Sequence, residues 1–160
     1  MKHLSLLLFL VAAAAHAGPA LVIDGASDYT IVRPAKATPS QVYAAEELQA
    51  FVKQMTGANL KSTTDAAPLP AKAILLGVTK YTASTLGANV DLTKLGDDGF
   101  RIKTCGAHVV IAASGVRGTL YGVYELLERY GGCRWYASFH SVIPTRKSWT
   151  LPDIDDTQVP

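Results

Sequence analysis

Between Thr38 and Gly57 the chain specifies both ends and the buried face of one long helix, and such a helix must cover something. Thr38 suits the N-cap, Pro39 suits the first helical position, and Gln41 completes a capping box three residues on. Val42, Ala45, Leu48, Val52 and Met55 recur in steps of three and four, with Phe51 beside them, so one stripe is apolar. Glu46, Glu47, Gln49 and Lys53 take the other side, and Gly57 supplies the glycine that ends the helix. A second helix is predicted over residues 117–130, with Leu120, Val123, Tyr124, Leu127 and Tyr130 as its stripe and Leu126 nearby. Gly118 and Gly122 lie four apart on one face of it. A helical glycine costs roughly 1 kcal/mol relative to alanine, so the pair predicts a backbone pressed closely on a sheet.

Strand-length runs surround these helices. Residues 20–25 and 29–32 read as two short strands, the second stopped by Pro34. Residues 60–63 are strand-like at the opening of a polar, proline-containing stretch. Residues 73–78 form a continuous apolar run, as expected of a central strand buried on both faces. Residues 81–95 are irregular, with room for one short helix. Residues 99–104 alternate with period two, and Gly106-Ala107 turns the chain into residues 108–113, which predicts a hairpin. Residues 133–136 resemble a last strand, and the tail from Pro144 is polar and proline-bounded. Without the short run at 60–63, the order β-β-α-β-β-β-α-β predicts an α+β fold: a two-layer α/β sandwich, a mixed β-sheet with two main helices packed on one face.

The beginning of the chain bears on compartment. Lys2 and His3 precede an apolar run from Leu4 to Ala15 that ends in Ala15-His16-Ala17, the small-x-small pattern of a signal-peptidase site. The run is too short to anchor in a bilayer, which takes about 20 residues. Residues 1–17 are therefore expected to be a signal peptide, and the product periplasmic or secreted, with no membrane attachment after cleavage. What remains of the 160 residues is one domain's worth. Fifteen basic and 13 acidic residues are scattered without clustering, which removes the electrostatic footprint of a nucleic-acid binder.

Chemistry is sparse. There is no Gly-x-Ser-x-Gly elbow, no His-Glu-x-x-His and no Walker loop. Residues 114–118 superficially resemble a phosphate cradle but lack the spacing and the lysine; a turn between hairpin and helix is the plainer reading. Asp97-Asp98 are adjacent in a loop and are expected to diverge into water. Glu125 and Glu128 lie one turn apart with Arg129 four residues after Glu125, the pattern of a solvated helix face. Neither set reads as a glycosidase pair across a cleft. Cys105 and Cys133 are the only cysteines; in an oxidising compartment they form either one disulfide or two separate thiols. With only His108 and His140 as further soft ligands after the leader, no metal site and no cofactor are expected. Trp135, Tyr136, Phe139 and His140 crowd the segment after the second helix. Three roles fit them: stacking on sugar rings, docking against a partner domain, or ordinary core. Trp149 in the tail could join either surface.

The residues then resemble a known family. Asp98-Gly99-Phe100-Arg101-Ile102-Lys103, Val110-Ile111-Ala112, Arg117-Gly118-Thr119-Leu120-Tyr121-Gly122-Val123-Tyr124-Glu125-Leu126-Leu127-Glu128 and Gly132-Cys133-Arg134-Trp135-Tyr136 are similar to one N-terminal, non-catalytic domain. That domain precedes the barrel in bacterial α-glucuronidases of the family 67 type and in related glycoside hydrolases, including β-hexosaminidases. Ala44-Ala45-Glu46-Glu47-Leu48, Met55-Thr56-Gly57, Ile74-Leu75-Leu76-Gly77 and Val142-Ile143-Pro144 fall in the order it uses. In those enzymes the catalytic acids lie on the (β/α)8 barrel that follows, so no catalytic residue carries over to this chain. The resemblance implies an accessory domain over residues 18–152 and the start of a linker over 153–160. It implies a glycoside hydrolase barrel as partner, in cis or in trans, with an oligosaccharide as a further candidate.

Overall fold

The computed structural model describes residues 17–87, 91–137 and 140–159. Of the expected leader, residues 1–17, all but Ala17 lie outside them. The elements, in order, are β1 (Ala17–Val22), β2 (Thr30–Arg33), α1 (Pro39–Thr56), β3 (Lys61–Thr64), β4 (Ala73–Leu76), α2 (Thr82–Leu86), a 3-10 turn (Leu92–Leu95), β5 (Phe100–Cys105), β6 (His108–Ala112), α3 (Gly118–Glu125), a π turn (Leu126–Tyr130), β7 (Arg134–Ala137), β8 (His140–Val142), β9 (Trp149–Pro152) and β10 (Asp155–Gln158).

Six strands make the main sheet in the order β10-β5-β6-β4-β2-β3. β3, β2, β4 and β6 run parallel, and β5 runs antiparallel between β6 and β10. β4 sits inside the parallel part, and all four of its residues are buried, which accounts for its unbroken apolar run. β5 alternates buried and half-buried, so Phe100, Ile102 and Thr104 face one way and Arg101, Lys103 and Cys105 the other. α1 and α3 cover the first face together with Ile31, Ile74, Leu76, Ile102, Val109 and Ile111. This is the expected two-layer arrangement, a mixed sheet with both main helices on one side. On the opposite face Leu86 of α2 joins a smaller cluster of Val32, Ala73, Leu75, Val110 and Ala112.

Local chemistry explains the helix limits. The Thr38 hydroxyl accepts from the Gln41 N–H at 3.3 Å, and the Thr38 N–H donates to Gln41 Oε1 at 3.0 Å, a complete capping box. Gly57, at φ 81°, ends α1 in the left-handed region and donates to the Lys53 carbonyl. The buried stripe is Ala44, Ala45, Leu48, Val52 and Met55, while Val42 stays half-exposed. α3 is shorter than the sequence suggests. It passes at Leu126 into a π turn, in which the Gly131 N–H reaches the Leu126 carbonyl at 3.0 Å. Carbonyls left at that end are taken by side chains: Trp149 Nε1 donates to Tyr130, Arg134 to Glu128 and Arg146 to Gly131. Two guanidinium groups there also suit the negative end of the helix.

Two expectations change. The tail is not a plain polar linker: β9 pairs with β1 in a two-stranded sheet, and residues 155–158 of the expected linker form the edge strand β10. Alternating burial along β9, with Trp149 and Leu151 inside, was masked in the sequence by its polar neighbours. The strand at residues 134–137 does not join the main sheet; it pairs with β8 as a separate hairpin.

Candidate interaction site

The β7–β8 hairpin rests on the outer side of the helix layer. Trp135 is half-buried and meets Phe51 of α1 and Tyr124 of α3 edge to face, with ring centroids 5.2 and 5.1 Å apart. Phe51 and Tyr124 are themselves 6.4 Å apart in the same geometry. Edge-to-face contacts place a positive ring edge on a negative face and are each worth about 0.5–1.5 kcal/mol beyond burial. The Tyr124 hydroxyl donates to Glu47 at 2.6 Å, joining α1 to α3. Burial first, then the hydrogen bond and negative charge of Glu47, push the Tyr124 phenol well above its ordinary range.

Beyond Trp135 the hairpin turns outward. Tyr136 is 68% exposed and stacks with His140 at 5.6 Å, with the rings inclined by 29°. Val142, opposite Arg134, is also exposed. Of the four aromatic-segment residues singled out in sequence, Trp135 roots the hairpin and Tyr136 and His140 form its outer surface. Phe139 lies outside the described residues. Trp149 belongs to neither surface: it is 1% exposed, a core residue under the end of α3. Sequence reasoning missed Tyr43 and Tyr121, 47% and 40% exposed on α1 and α3. The available signal was position: Tyr43, Glu47 and Phe51 run four apart along the flank of the buried stripe.

Of the four carboxylates weighed in the sequence, Asp98 and Glu125 are held by structural partners. Asp98 does not point loosely into water but takes a two-pronged contact from Arg117 at 2.7 and 2.9 Å. Glu125 accepts from Gln158, and Arg129 is shared between Glu125 and Asp156. Residues 114–118 form a packed turn, since a Cβ on Gly115 or Gly118 would run into the backbone of Asp97 or Gly99. Among the described residues no group of three or more His, Cys, Asp or Glu gathers as a metal site. The cysteines do not meet. Cys133 is buried under the helices with its Sγ 3.5 Å from Met55 Sδ, and Cys105 packs on the opposite face of the sheet. Both are free, so the disulfide alternative is corrected to two separate thiols, each pushed up by burial.

Comparison with known proteins follows the same lines. No curated protein matches the chain. A family 115 4-O-methyl-α-glucuronidase with specificity for decorated arabinogalactans has a similar structure at TM-score 0.65 and 17% identity, over 88% of this chain and 18% of that one. The family 20 β-N-acetylhexosaminidase from Streptomyces coelicolor A3(2) is similar at TM-score 0.55 and 16% identity, over 92% of this chain and 26% of that one. At such identities the likeness is one of fold, and this chain spans only about a fifth to a quarter of their length. The family model for the glycosyl hydrolase family 67 N-terminus matches residues 26–126, more than half of the chain. With the capped α1, the glycine face of α3 and five of the six main-sheet strands inside that match, the chain belongs to the family of glycosyl hydrolase family 67 N-terminal domains.

Proposed function

We propose that this chain is the non-catalytic accessory domain of an exported carbohydrate-active enzyme and docks beside a glycan-cleaving barrel. The observation that carries this reading is the β7–β8 hairpin: an isolated two-stranded ribbon is marginal in water, yet this one holds Tyr136 and Val142 exposed. Tyr43 on α1 and Tyr121 on α3 are further exposed aromatic side chains. The engaged state of Asp98, Glu125 and Glu47 supports a structural rather than a hydrolytic role. The fold shared with a glucuronidase of decorated arabinogalactans makes a uronic-acid-bearing glycan the first substrate class to assay for the whole enzyme. The Tyr136–His140 stack favours one second reading, a free-standing carbohydrate-binding module.

The test is sedimentation of wild type and Tyr136→Ser at rising concentration, with assays on aryl glucuronides and aryl N-acetylhexosaminides. The expected result is self-association through the uncovered surface, weakened by the substitution without loss of helical signal, and no turnover. Strictly monomeric behaviour would sink the docking surface, and turnover abolished by one carboxylate substitution would sink the non-catalytic role. Oligosaccharide binding that Tyr136→Ser removes would move the reading to the binding module.

A further inference from the structure

β10 is an edge of the main sheet, yet none of its residues, Asp155, Asp156, Thr157 and Gln158, is apolar. It is entered through Ile154, a core residue whose N–H donates to Thr104 Oγ1 at 2.8 Å and whose carbonyl accepts from the Thr104 N–H at 2.9 Å. Past Ile154, side-chain attachment is by polar and charged groups on both faces. On one face Asp155 takes Arg101 at 2.7 Å and Lys103 at 3.1 Å. On the other, Asp156 takes Arg129 at 2.7 Å, Gln158 donates to Glu125 at 2.8 Å, and Tyr130 stands beside Arg129 and Asp156. Asp155 and Arg129 are more than half exposed, so dissolved ions reach both sets of pairs.

We propose that β10 is a charge-latched strap, which swings off β5 about Ile154 as a unit, with the rest of the sheet intact, when its ion pairs are screened or neutralised. Strands held by burial do not respond this way, because screening weakens exposed ion pairs and leaves apolar burial in place. Acid acts in the same direction as salt. Burial alone would raise the Asp155 carboxyl, but hydrogen bonds from Arg101 and Lys103 and their charges outweigh it and hold it low. A lowered carboxyl contributes its stability above the unfolded value, about 3.9, and loses it as the pH falls through the folded value below that.

Hydrogen exchange followed by mass spectrometry tests the strap on the intact chain, in salt of about 0.01 M and about 1 M, where the screening length falls from about 30 to about 3 Å. The expected result is exchange at residues 155–158 accelerated about tenfold or more in high salt, with β4 and β6 unchanged. The double substitution Asp155→Asn, Asp156→Asn should give the same fast exchange in low salt, with β4 and β6 protection reporting that the fold persists. Exchange at 155–158 that is unmoved by salt, or that rises only together with β4 and β6, would overturn the proposal.

Discussion

Gly122 shows how much one missing methyl group governs here. A Cβ at that position would lie 2.5 Å from Ile111 Cγ2 and 3.3 Å from the Phe100 ring, and a Cβ on Gly118 would meet the Gly99 carbonyl oxygen at 2.2 Å. The helix therefore sits directly on β5 and β6, at the loss of some helix propensity. Gly122→Leu is expected to destabilise by overpacking, about 1–3 kcal/mol or more, read as a lowered urea midpoint. The matching control is Glu128→Leu on the exposed side, which should move the midpoint little; Glu125 would be a poor control because Gln158 and Arg129 hold it. The glycine contact was legible in the sequence because two glycines four apart can only weaken a helix unless something lies against them. The Arg117–Asp98 pair was not, because nothing in an adjacent pair of aspartates names the arginine that a later turn delivers.

Among the elements, α1 carries its own instructions and the C-terminal strands do not. Cap, stripe and terminating glycine are all local, so the helix could be placed to within a residue. Thr38→Ala removes the acceptor for the Gln41 N–H and should cost about 1 kcal/mol, seen as an earlier thermal or urea transition with unchanged native spectra. β9 and β10 depend instead on partners more than forty residues away, and a strand such as Asp155–Gln158 has no apolar alternation to announce it. The same limit explains the aromatic segment. Clustering was visible, but whether Trp135 faces inward and Tyr136 outward depends on Phe51 and Tyr124, brought there by the helix pair.

For the molecule as a whole, the order of elements was enough to give two layers and to place both helices on one side. It could not separate the small β1–β9 sheet from the main one, since pairing across the chain leaves no local mark, and a lone strand pattern at β7 does not say which strand it pairs with. The apolar run behind Lys2 predicts export with cleavage after Ala17. Intact-mass measurement of secreted or periplasmic material should show a chain beginning at Gly18, and a dominant membrane-bound species retaining Met1 would contradict it. The β1–β9 ladder has a further consequence, for time rather than stability. The Asp24–Ser148 bond spans 124 positions, so during synthesis β1 finds its partner only after more than a hundred further residues have been made. At about 5–20 residues per second the wait is on the order of ten seconds. During that interval β1 is an unpaired strand on an incomplete domain, open to whatever cellular factor binds unfolded segments.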